Sequence, residues 1–205
     1  MQICYTDHLP AEFRAAAARL YTDALQDKLV PILGNKDRTE RVLIQHLAPE
    51  NGLTAFYDQK LVGILGIQTW EKGFWNPTLK TLAEEYGIIG GCFRLGGLYL
   101  LHHETEPDEW YVDGVAVAED MRGMGIGSGL LCRLEEIASE KGIRKISLEV
   151  TDSNQRAESL YERLGFTETG RQSLCPFNLI FKFPFQASVQ MVKTISRQNI
   201  PITPL

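Results

Sequence analysis

The feature that most constrains this chain is a glycine loop set between an apolar run and an amphipathic one. Residues Trp110–Val117 are apolar apart from Asp113, which predicts a strand buried on both faces. Arg122-Gly123-Met124-Gly125-Ile126-Gly127-Ser128 follows. Then Ile126, Leu130, Leu131, Leu134, Ile137 and Ala138 recur at helical spacing until Lys141-Gly142 closes the helix. Glycines at alternate positions strip side chains from one side of the turn, so its N–H groups can converge on one anion. The helix N-terminus adds partial positive charge, and Arg122 adds a charged donor. The pattern predicts a phosphate-bearing ligand. No Lys-Ser or Lys-Thr follows the glycines, so this is not a Walker A loop. The dinucleotide fingerprint fails too, because its third glycine falls on Ser128 in one frame and on Leu130 in the other. Taken alone, the loop fits a helix entry that merely needs small residues equally well.

The elements around the loop predict an α/β domain, a mixed sheet with helices on its faces. Phe13, Ala17, Leu20 and Ala24 mark a first helix, punctuated by Pro31 and Gly34, and a second runs from Asp37 to Leu47. Leu53–Tyr57 and Leu61–Ile67 read as a hairpin, in which Gly63 and Gly66 suggest a bulge or a close backbone approach. Thr78–Tyr86 reads as helical, and Gly87–His103 is apolar and glycine-rich; residues 70–107 are taken as an insertion packed on the core. Past the loop, Ile146, Leu148 and Val150 alternate as a strand, and Ala157, Leu160, Tyr161 and Leu164 mark a helix ended by Gly165. Phe166–Gly170 and Ser188–Thr194 close the sheet, and the tail 198–205 is expected to be mobile.

Length and charge narrow the function classes. A chain of 205 residues holds one domain, and 44% hydrophobic with 23% charged residues excludes whole-chain disorder. The net charge of −5 gives no basic footprint for nucleic acid or anionic lipid, and it suits a cationic acceptor such as an amine. Cys4, Cys92, Cys132 and Cys175 are scattered, so neither a zinc knuckle nor a disulfide framework is expected; free thiols and a cytoplasmic location are. No apolar stretch reaches the ~20 residues of a membrane span.

A second motif turns the loop into an identification. Asn154, Ala157, Tyr161 and Gly165-Phe166 follow the next strand. Together with Arg122-x-x-Gly125-x-Gly127, they resemble the GNAT superfamily of acetyl-CoA-dependent N-acetyltransferases. The resemblance covers Trp110 to Gly170 closely and the N-terminal elements loosely. It implies a mostly antiparallel sheet with a splayed strand pair, one domain over 1–205 and a family-variable segment at 70–107. It implies acetyl-CoA as co-substrate with no metal, and an amine acceptor that is a small molecule or a polypeptide. The state implied is monomer or homodimer. The cofactor residues implied are Val115, Ala116 and Val117 along the splayed strand; Arg122, Gly123, Met124, Gly125, Ile126, Gly127 and Ser128 in the loop; and Asn154 and Tyr161 beyond it.

Acetyl transfer needs a base for the amine, a donor to the oxyanion and a proton for the departing thiolate. The resemblance gives the last task to Tyr161, whose helical spacing alone would make it a core aromatic. It gives the oxyanion to a main-chain N–H around Val117. Glu109 and Asp113 rank equally as base, and strand alternation sets Glu109, Tyr111, Asp113, Val115 and Val117 on one face. His102-His103 is expected to be a solvated loop pair. Trp70, Phe74 and Trp75 either line an acceptor pocket or pack under the insertion. A non-catalytic acyl-CoA-binding module is the alternative function, and Gly87–Leu101 is either buried on its own chain or a subunit interface.

Overall fold

The computed structural model describes residues 2–195; the tail expected to be mobile lies outside them. Its strands are β1 (Cys4–Thr6), β2 (Gly52–Tyr57), β3 (Lys60–Gln68), β4 (Glu109–Val117), β5 (Lys145–Thr151), β6 (Thr167–Ser173) and β7 (Ala187–Thr194). They form one open sheet in the order β1-β2-β3-β4-β5-β7-β6. Every pairing is antiparallel except that of β4 with β5. The helices are α1 (Arg14–Ala24), α2 (Gln26–Leu33), α3 (Lys36–His46), α4 (Leu79–Tyr99), α5 (Ile126–Glu140), α6 (Gln155–Arg163) and α7 (Asn178–Phe181).

The sheet separates two cores. On one face α5 and α6 bury Leu130, Leu131 and Leu134 against Leu53, Leu65, Ile146 and Leu148. On the other, α1 to α4 bury Ala17, Tyr21, Leu33, Leu43 and Leu82 around Phe74 and Ala116. The alanine run of α1 lets that helix lie close to β4, where the ring of Tyr21 meets Gly114. Phe74 has the same relation to β3. A Cβ on Gly66 would sit 2.5 Å from the Phe74 ring, so the close approach suggested by that glycine is an aromatic ring lying on the strand.

A bulge in β4 positions everything that follows. Gly66 pairs with Gly114 but the next residue, Ile67, pairs with Val112, so Asp113 is an extra residue on its strand. The parity of side chains changes across it. Trp110 and Val112 lie in the α5 core, Val115 and Val117 pack on that same core, and Ala116 lies in the opposite one. The expectation that Glu109, Tyr111, Val115 and Val117 share a face is therefore wrong, because strict period two holds only without a bulge.

Three other expectations change. β1 is a short edge strand with no apolar alternation, and the sequence pattern misses it. The first helix is two, broken at Leu25 (φ −109°), with Pro31 inside the second. In residues 70–107 the helix does not end near Tyr86: Gly87, at φ 73°, kinks the chain and helix resumes to Tyr99. Its second half is buried only in part, since Ile88, Ile89, Phe93 and Tyr99 are exposed.

Adding a methyl group at Gly66 should press on a ring with no free space. We expect Gly66→Ala to lose about 1–3 kcal/mol in urea unfolding. The loss should be smaller in a Phe74→Leu background, so a double-mutant cycle should show coupling between the two positions.

Candidate active site

The site begins where the sheet opens. β4 and β5 pair from Glu109–Lys145 to Val112–Leu148 and no further. Beyond that, Glu149, Val150 and Thr151 pair only with β7. The N–H of Ala118 donates to the Val62 carbonyl at 2.9 Å, toward β3. Alternate residues point the other way, so the main-chain groups of Val117 and Val115 face the gap left by β5. A cavity of about 260 Å³ fills the gap, lined by Asp113, Gly114 and Val115 on one lip and Glu149, Val150 and Thr151 on the other. Main-chain groups in such a gap need partners, and a ligand carrying amides along its length supplies them.

The glycine loop stands at one end of the gap. Gly123 (φ 86°) and Gly125 (φ 80°) take conformations that a side chain would strain, and Gly125 begins α5 with no side-chain cap. The first N–H groups of the helix are thus left for a ligand. Gly127 differs: its φ is not positive, and a Cβ there would make only ordinary contact, 3.8 Å from Val115 and Val117. The adjoining cavity of about 410 Å³ is lined by Val115, Val117, Arg122, the loop and Asn154, Arg156, Tyr161 and Arg163. The Arg122 side chain turns back, its Nε donating to the Val117 carbonyl at 3.3 Å. Asn154 caps α6, accepting from the Ala157 N–H at 3.2 Å, and also faces the cavity.

Not every predicted cofactor residue offers a side chain here. Ala116 points into the opposite core, Met124 is exposed outside the cavity, and Ile126 is buried beneath α5 although its residue borders the loop cavity. Arg156 and Arg163 do face it, and the sequence reading does not single them out. Arg156 carries a signal: a cation in the first turn of a helix opposes the helix dipole, which suggests an anion nearby. Three arginines, free loop N–H groups and an open strand edge fit a ligand with phosphates at one end and amides along an arm.

The two strand carboxylates have opposite surroundings. Glu109 is 3% exposed. It accepts from His103 Nε2 at 3.2 Å, from the Ser147 hydroxyl and from the Glu106 N–H at 3.3 Å, and it pairs with Lys145 Nζ at 3.1 Å. Burial alone would raise its pKa, but the bonds from His103, Ser147, Lys145 and the Glu106 N–H bring it down to about 2. It lines none of the three cavities along the gap. Asp113, four residues on, accepts only from the Phe74 N–H at 3.3 Å. Burial raises its carboxyl to about 6, against the opposing pull of that N–H and of Lys28. Tyr161 lines both the loop cavity and the gap, and burial pushes its hydroxyl up to about 12.

A third cavity, of about 270 Å³, lies beyond Asp113. Leu25, Lys28, Asp113 and Glu149 line both it and the gap, and Trp75, Leu98, Tyr111, Leu174 and Phe185 complete much of its wall. Lys28 and Glu149 are further residues not singled out by pattern. Glu149 reads as the polar half of an alternating strand, and only the end of the β4–β5 pairing turns it toward a cavity. The Trp70, Phe74, Trp75 cluster divides: Trp70 is 65% exposed, Phe74 is fully buried, and Trp75 alone reaches this cavity. His103 is not a solvated loop residue, because it stacks on Tyr111 with ring centres 4.4 Å apart. His102 lines the third cavity. Among the described residues no group of three or more His, Cys, Asp or Glu is placed to hold a metal ion, and no helix is long and apolar enough to cross a membrane.

A model of the acetyltransferase (GNAT) family matches residues 16–166. A thialysine N-epsilon-acetyltransferase of Bos taurus is 36% identical over 77 residues, covering 37% of this chain and 45% of that protein. An uncharacterized N-acetyltransferase, YycN, of Bacillus subtilis is 39% identical over 106 residues, covering 51% of this chain and 61% of its own. The chain thus spans about half the length of these relatives. Among solved structures, the ribosomal-protein-S18-alanine N-acetyltransferase from Escherichia coli has the same fold (TM-score 0.59, 17% identity, covering 98% of this chain and 99% of that one).

The Glu109 network has a consequence for stability. Its folded-state pKa lies below the ordinary value of 4.5. The stabilisation is therefore present above pH ~4.5 and is lost as pH falls toward ~2. We expect Glu109→Gln to unfold more easily at pH 7 by on the order of 2–3 kcal/mol. The gap from the parent should narrow between pH 4.5 and 2, read from urea midpoints across that range.

Proposed function

The chain belongs to the acetyltransferase (GNAT) family, and we propose from that premise that it transfers an acetyl group from acetyl-CoA to a primary amine. The observation that carries this reading is the series of three cavities. The loop cavity shares Val115, Asn154 and Tyr161 with the gap, and the gap shares Asp113 with the third cavity. Residues suited to a cofactor thus lead to residues suited to proton transfer. The whole chain is read as one acetyltransferase domain with 70–107 as its variable segment. In support, one sheet includes strands from both ends, and α4, within that segment, walls the third cavity. A cytoplasmic location is supported by four free and exposed cysteines.

Bound acetyl-CoA supplies the activated acetyl thioester. The N–H groups at Gly125–Ser128, with Arg122, Arg156 and Arg163, would hold its phosphates. The main-chain groups of Val115 and Val117 would pair with the amides of its arm, as an added strand does. The same edge supplies an N–H near Val117 to the carbonyl oxygen.

Proton transfer falls to two side chains. Asp113 accepts the proton of the incoming ammonium, since a carboxyl near 6 is mostly ionised at pH 7 yet basic enough to act. Glu109 is the weaker base, held near 2 and enclosed by its own partners. Tyr161 keeps its proton throughout the neutral range and gives it to the departing sulfur.

We expect Asp113→Asn to lower kcat/KM about 10²–10⁴-fold. It should also abolish a rise with pH centred near 6, followed as thiol release from acetyl-CoA. Tyr161→Phe should lower kcat with little change in acetyl-CoA affinity by calorimetry; an unaltered kcat would remove Tyr161 from the reaction. Binding of acetyl-CoA with no thiol release against a broad amine panel would favour the regulatory module instead.

A further inference from the structure

Lys28 stands where an amine-binding cavity should least tolerate it. It projects from α2, lines both the gap and the third cavity, and is the one lysine or arginine on the third cavity's wall among the described residues. Its Nζ donates a single hydrogen bond, to the Glu149 main-chain carbonyl at a long 3.4 Å. Among the described residues it forms no ion pair, although Asp113 and Glu149 are close enough to help keep it charged against the effect of burial. An ammonium has three donors, so two remain for something that enters the cavity.

An acceptor amine arrives at neutral pH as a cation. Asp113 and Glu149 attract it and Lys28 repels it. A plain monoamine thus meets an opposing charge and leaves two donors of Lys28 unpaired. An acceptor that also carries a carboxylate reverses both effects. Its ammonium meets Asp113, and its carboxylate takes the free donors of Lys28 in a charge-assisted hydrogen bond. The cavity, about 270 Å³ and walled on its helical side by Leu25, Leu29 and Leu98, suits a small molecule with an apolar body.

We propose that Lys28 is a specificity-determining residue that reads a carboxylate on the acceptor, so that the acceptors are small amino acids rather than plain amines. The proposal rests on the acetyl-transfer reading and is narrower than it.

The test uses matched sets of primary amines: α-, β- and γ-amino acids with aliphatic or aromatic bodies, each beside its carboxamide and its decarboxylated amine. Thiol release from acetyl-CoA gives kcat/KM for each. The carboxamide also stands for a polypeptide N-terminus, which offers a carbonyl in place of the carboxylate. The acid is expected to exceed both partners by about 10–10²-fold. Lys28→Met should bring the acid level with them, and Lys28→Arg, which keeps the charge, should restore the order. Because each comparison is a ratio within one variant, it does not depend on how much of that variant folds. Equal rates for the three members in the parent, a better carboxamide or amine, or a preference for the acid that survives in Lys28→Met would each overturn the proposal. So would a uniform fall of all three in Lys28→Met, the mark of a lysine that only balances the two carboxylates. No thiol release from any amine would overturn the acetyl-transfer reading itself, and this inference with it.

Discussion

The separation of β4 from β5 is the constraint on which the rest of the structure depends. Parallel neighbours in a sheet ordinarily stay paired, since an abandoned ladder leaves N–H and C=O groups without partners. Here the pairing stops at Val112–Leu148, and the next residue on β4 is the bulged Asp113. The bulge bends β4 and shifts its side chains by one position while β3 keeps hold of its other edge. β5 is held from its far side by β7 through the whole of Lys145–Thr151. Each strand thus has one partner that prevents collapse of the gap. Tyr21 and Phe74 complete the support, lying against Gly114 and Gly66 on the helical face.

That geometry explains how two carboxylates four residues apart come to differ. Glu109 lies where β4 and β5 are still joined, so side chains of the neighbouring strand reach it: Ser147 and Lys145 both come from β5. Asp113 lies one residue past the last pair, and no β5 side chain bonds to it among the described residues. What remains is the single N–H of Phe74. A carboxylate stripped of donors but still walled in has its proton affinity raised. The opening of the sheet therefore sets both the place of the cavity and the chemistry of the group at its centre. Glu109, in turn, ties β4 to β5 and to the 103–106 segment at the start of the paired stretch, the end away from the gap.

How much of this was legible in the sequence depends on the range of the interaction concerned. The helices α3, α5 and α6 and the strands β2 to β5 show in their periodicity because each buries one face or both. The glycine loop shows because Gly123 and Gly125 need backbone conformations that few other residues adopt. β1 is too short for any period to appear. The second half of α4 is hidden by its glycines, which disfavour helix in isolation and are accepted here because Gly97 receives the ring of Phe181. The bulge is invisible in an apolar run, and with it went the face of every residue beyond Asp113. Glu109 and Asp113 look alike in sequence, as two acids on one strand, because much of their difference comes from residues 36 to 39 positions away, Ser147, Lys145 and Phe74, and the nearer His103 and Glu106 lie in a loop with no periodicity to place them.

The charged residues that face the cavities follow the same division. The cations of the loop end, Arg122, Arg156 and Arg163, sit in or beside the two motifs legible in the sequence, the glycine loop and the Asn154–Phe166 stretch. The charged groups of the third cavity, one cation and two carboxylates, come from separate parts of the chain: Lys28 from α2, Asp113 from β4 and Glu149 from β5. No spacing in the sequence connects them, and only the sheet brings them together. A site divided in this way can change its third cavity through α4, whose residues line neither the gap nor the loop cavity, whereas Lys28 of α2 lines the gap as well. The wall of the third cavity draws on α2, α4 and the segment around Leu174 and Phe185, all outside the glycine loop and the Asn154–Phe166 motif.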